Sequence, residues 1–113
     1  MSIEVRWEEM RWNDEAPDQP AESHVLAVVS DKYSLVERFL VAFRVAEFPY
    51  LRFISHETVT IFHQQHIPQL LQELEALCEQ DHEPEVEKHL HAVLDLVRGA
   101  QGSENTLIAF RAC

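Results

Sequence analysis

Hydrophobic and polar positions change period several times along the chain, and each change marks an element. Residues 2–7 alternate, with Ile3, Val5 and Trp7 on one side and Glu4 and Arg6 on the other, the period-2 pattern of a half-buried strand. Met10 and Trp12 fall out of that register. A bulge near Glu8 and Glu9 would return them to the apolar side; a strand ending at Glu8 reads equally well. Residues 13–23 lose all apolar periodicity and hold two prolines, four acids and no base, so they read as a solvated loop. Residues 25–29 form a short valine-rich run and predict a buried strand, a partner for the first.

Period 3.6 then takes over. Ser34 and Glu37 stand three apart before an apolar run, a capping box that predicts a helix over 34–46. Leu35, Val36, Phe39, Leu40 and Phe43 form its main stripe, while Val41 and Val45 lie on other faces. A helix this apolar is wedged between layers or set against a partner. Pro49 limits it, because the residue before a proline is pushed out of helical geometry. Residues 50–54 and 58–62 are each rich in aromatic or β-branched side chains, and either would serve as a strand, the second more readily.

The clearest amphipathic helix begins at Pro68, where the missing N–H costs nothing. Ile67, Leu70, Leu71, Leu74, Leu77 and Cys78 share one face; Gln69, Gln72, Glu73, Glu75 and Glu79 share the other. A second helix starts near Pro84 with Val86, Leu90, Val93, Leu94 and Val97 as its stripe. Its acids Glu85 and Glu87 favour the N-terminal end of the dipole and Arg98 the other, and Gly99 or Gly102 would end it. A short connection makes the two helices a hairpin. The run T-L-I-A-F-R closes the chain as a final strand. Together these elements predict a single α+β domain over residues 1–113, a small mainly antiparallel sheet with three helices packed largely on one face.

Charge narrows the partners. The 113 residues carry a formal net charge of -11, which disfavours nucleic acid and anionic membranes and favours a basic protein partner. Residues 53–87 contain eight acids and neither Lys nor Arg. The expected binding surface is therefore the polar side of the Pro68 helix, at Gln72, Glu73, Glu75 and Glu79, with Trp12 as an aromatic anchor. Trp7 reads as core. The extra apolar face on 34–46 is open to a homodimer contact or a crowded core.

Six of the seven histidines lie between residues 56 and 91. His63 and His66, joined by Glu57 or Asp81, are the candidate ligands for a divalent metal such as zinc. The pair at 89 and 91 is splayed by about 200° on a helix and does not chelate. Surface histidines on polar faces are the preferred reading. No metal-ligand motif, nucleophile elbow or phosphate loop is present, and Cys78 sits on a core stripe where a thiol is inert. No catalytic residue and no cofactor is assigned. With two cysteines, no apolar leader and no run of roughly 20 apolar residues, a reducing cytoplasm is the expected location.

One segment resembles a known pattern. Phe48-Pro49-Tyr50-Leu51, then Thr60 and Phe62, then His66, Pro68, Leu71, Glu73 and Leu74 are similar to an F-P-x-L, T-x-F, Q/H-x-P-x-L-x-x-E-L succession. That succession occurs in small bacterial proteins of uncharacterised activity. The resemblance covers residues 48–77 and implies a bacterial cytoplasmic protein, with no catalytic residue to carry over. The function these observations favour is a non-enzymatic acidic interaction module, regulatory or immunity-type. A metal-binding protein built on the His63 and His66 turn is the alternative.

Overall fold

A computed structural model describes residues 3–11, 15, 18, 22–30, 48–54, 57–80 and 83–112. Strands β1 (Ile3–Arg11), β2 (Glu22–Val29), β3 (Thr60–His63) and β4 (Thr106–Ala112) form one antiparallel sheet in the order β2-β1-β4-β3. Helices α1 (Ile67–Cys78) and α2 (Pro84–Ala100) pack on each other, and α2 lies against β1, β2 and β4. The fold is α+β. The described residues contain these two α-helices; the third expected helix, over 34–46, lies outside them.

The first and last strands take the centre of the sheet because they carry the alternating apolar residues. Ile3, Val5 and Trp7 stand opposite Ala112, Phe110 and Ile108 in an unbroken register. Phe62 of β3 extends the same row beyond Ile108. Ile3, Val5, Phe62, Ile108 and Phe110 are buried together with the predicted stripes of both helices, except Cys78, which is partly buried against them. Pro68 and Pro84 each sit in the first turn of their helix, where no backbone donor is lost.

Several expectations need revising. The bulge falls on β2, not on β1: Trp7 pairs with Ala27 and Glu8 with Val25, which leaves Leu26 as the extra residue. β1 therefore continues straight to Arg11, and Met10 projects with Glu8 on the face away from the helices. On β2, Val25 and Val28 project on the face away from the helices and Leu26 is bulged, so they are 45%, 45% and 43% exposed, while Ala27 and Val29 pack against the core; a buried strand was expected. Residues 51–53 form a 3-10 turn, not a strand, and the strand is the 60–63 segment. The helix α2 runs past Gly99 to Ala100, and Gly102 with φ +83° takes the turn that follows, a conformation glycine adopts without steric cost. Trp7, expected in the core, is partly buried and packs against it under α2.

Candidate functional site

The histidine turn is a local hydrogen-bonding device. β3 ends at His63 and a 3-10 turn (Gln64–His66) leads into α1. The His63 backbone N–H donates to Nδ1 of His66 at 3.1 Å. The His63 side chain in return accepts the backbone N–H of His66, so each imidazole caps the other residue's backbone. The rings stand 6.0 Å apart between centroids, and His66 also meets Tyr50 edge-on at 5.6 Å.

That arrangement uses one ring nitrogen of His66 on the backbone. Glu57 is exposed, and among the described residues no three His, Cys, Asp or Glu side chains are grouped to hold a metal ion. The structure thus does not assemble His63, His66 and Glu57 as a ligand set. Asp81 lies outside the described residues.

An open cavity of about 600 Å³ lies beside the turn, lined by Met10, His63, Gln64, Gln65, Asn105 and Leu107. Among the described residues that line it, His63 is the ionisable side chain.

The expected binding surface divides. Gln72 and Glu75 are exposed on α1 and Glu79 just after it, and Glu75 meets Arg98 of α2 at 3.4 Å. Glu73 is different, being only 3% exposed. Its Oε1 accepts the backbone N–H groups of Tyr50 at 2.8 Å and Leu51 at 3.0 Å, and its Oε2 accepts Nε2 of Gln69 at 3.1 Å. A carboxylate is buried only where hydrogen bonds replace its water. Glu73 therefore holds the 3-10 turn (Leu51–Phe53) against α1 and is withdrawn from the surface. Trp12 lies outside the described residues.

Acids dominate the exposed ends of the helical hairpin. Glu79 follows α1, Glu83 precedes α2, and Glu85 and Glu87 occupy the first turn of α2; all four are exposed. Glu87 lies 3.8 Å from His91, and Arg98 reaches Asp95 at 3.8 Å as well as Glu75. Arg98 stands a full helix length from the acids of the first turn of α2. On α1, burial pushes the Cys78 thiol above its usual value against the opposing pull of Arg98, with Glu87, Glu75 and Asp95 adding to the rise.

Sequence reasoning missed two exposed apolar groups. One is the β2 edge already described. The other is Phe53, with Val59 and Ile61 nearby in sequence and also exposed; the Arg52 guanidinium stacks 4.9 Å from the Phe53 ring centroid. The signal for the first was present in the run V-L-A-V-V, but exposure there depends on which face of the sheet the helices cover, which no local pattern encodes. No helix among the described residues is long and apolar enough to cross a membrane. No family model, curated protein or solved structure matches this chain.

Proposed function

We propose that this protein is a non-enzymatic interaction module that receives a basic protein partner, in a regulatory or immunity-type role. The observation that carries the reading is the exposed series Glu75, Glu79, Glu83, Glu85 and Glu87, set in a stretch, residues 53–87, without one Lys or Arg. Such a field speeds encounter with a positively charged surface and rejects acidic competitors, and its effect falls as salt rises. Solvation alone also uses surface acids, so the discriminating property is retention of a basic partner.

A pull-down from cell extract compares the native chain with a variant carrying Glu79→Lys, Glu83→Lys and Glu85→Lys. Capture of a basic protein by the native chain, lost in the variant and at high salt, supports the reading. Failure to retain any basic protein at low salt overturns it.

A further inference from the structure

We infer that the basic partner is received as an extended segment that adds to the outer edge of β2 as a further strand. This rests on the reading of the partner as basic, and it adds a second contact, at the sheet, to the one made by the acidic hairpin.

Backbone direction shows which groups are available. Met10 N–H donates to Asn105 O at 2.7 Å, which turns Met10 and, by strand alternation, Glu8, Arg6 and Glu4 toward β4. Val5, Trp7, Glu9 and Arg11 then face β2, where they pair with Val29, Ala27, His24 and Glu22. Ser23, Val25 and Val28 are left to direct N–H and C=O groups outward. Among the described residues no strand pairs with that edge.

Natural edge strands are commonly blunted by lysine, proline or short length. β2 has eight residues and neither Lys nor Pro. It does carry a bulge, itself an edge-blunting device, at Leu26, which divides the outward groups into Val28 on one side and Val25 with Ser23 on the other. Val25 and Val28 project on the face away from the helices, beside Glu8 and Arg6 respectively, so an added strand gains both backbone bonds and apolar contact.

Charge selects the occupant. The two bases of β1 are already engaged, Arg6 with Glu4 and Arg11 with Glu9. Glu8, which accepts the Ser23 hydroxyl at 2.9 Å, stands beside Val25, and Glu22, 3.7 Å from His24, opens the strand, while Asp18 is exposed in the connection between β1 and β2. A second copy would bring another net charge of -11 to this edge. A lysine-bearing strand meets acids instead.

The probe is a peptide of four Lys-Val repeats, with four Lys-Pro repeats as a control of equal charge that cannot join a sheet. The expected result is binding of the Lys-Val peptide about tenfold tighter than the control, with hydrogen-exchange protection appearing at Val25 and Val28. Val28→Pro removes an outward N–H without touching the β1 ladder, and Val28→Lys keeps that N–H but repels the probe. Either brings the Lys-Val peptide down to the affinity of the control, with the circular dichroism spectrum checking the fold. Equal affinity for both peptides overturns strand addition while leaving the acidic-surface reading intact. Binding of neither overturns both. Protection at β2 that appears without peptide and rises with protein concentration assigns the edge to a second copy and overturns the inference.

Discussion

Glu73 on α1 caps the backbone of Leu51, 22 residues earlier in the chain, through a 3.0 Å hydrogen bond. The first donors of a helical turn lack partners within it, and a carboxylate from another element supplies them here. The neighbouring Tyr50 N–H bonds to the same oxygen at 2.8 Å, and the Tyr50 ring stacks on Phe62 of β3 at 5.7 Å. One buried carboxylate thus ties α1, the 3-10 turn and the β3 edge together. Removing it leaves two backbone donors unsatisfied, and a buried unsatisfied group costs about 1–3 kcal/mol. Glu73→Ala is expected to lower the unfolding free energy by about that range in urea titration. Glu73→Gln should lose less, since one acceptor remains. A loss within experimental error for the alanine variant would show that the two N–H groups find other acceptors.

The same residue shows what the sequence could and could not reveal. Periodicity placed both helices correctly because their stripes are strict and their prolines mark the starts. It assigned Glu73 to the polar side along with Gln72, Glu75 and Glu79, because residue type is read without knowledge of what packs beside it. The donors that bury Glu73 come from Tyr50 and Leu51, in a segment that reads as a strand until Pro49 and the carboxylate are considered together. Trp7 and the two end strands were legible from alternation alone. The exposed side of β2 was not, because which face of the sheet the helices cover follows from long-range packing. The His63 and His66 spacing is visible in the sequence, but their mutual backbone capping depends on the 3-10 geometry of the turn.

Gly99 lets α2 approach the sheet. A Cβ added there would lie 3.2 Å from Cζ3 of Trp7, tighter than ordinary packing. Alanine in a helix interior is favoured over glycine by about 1 kcal/mol, but Trp7 cannot retreat freely, since its indole N–H donates to Thr106 Oγ1. Gly99→Ala alone is therefore expected to be neutral or destabilising by up to about 1 kcal/mol. In a Trp7→Phe background, with the outer ring gone, the same change should recover about 1 kcal/mol of its helix advantage. A double-mutant cycle in urea reads the coupling. Additive effects would mean the two residues do not constrain each other.

The histidine turn makes a prediction about metals. With one His66 nitrogen on the backbone and no three-ligand group among the described residues, zinc or nickel in modest excess should leave the melting temperature unchanged. Binding to the native state alone raises it by mass action, so a concentration-dependent rise would restore the metal reading. His66→Ala removes one cap at an exposed N–H that water can reach. It should cost no more than about 1 kcal/mol.

Cys78 sets a pH dependence whose sign is fixed by its surroundings. Burial disfavours the thiolate, Arg98 partly offsets this, and Glu87, Glu75 and Asp95 add to the rise. Folding therefore favours the protonated thiol. Its contribution to stability is fully present below the ordinary thiol pKa and is lost as pH rises through the higher folded value. At neutral pH both states hold the proton, so Cys78→Ala should show only a packing cost there. Above the ordinary thiol range the native chain should lose stability with pH more steeply than the alanine variant. Alkylation followed by peptide mapping gives a second readout: Cys78 should react more slowly than free cysteine at the same alkaline pH. Parallel stability profiles for the two chains, together with a fast-reacting Cys78, would show that the thiol ionises as it does in water.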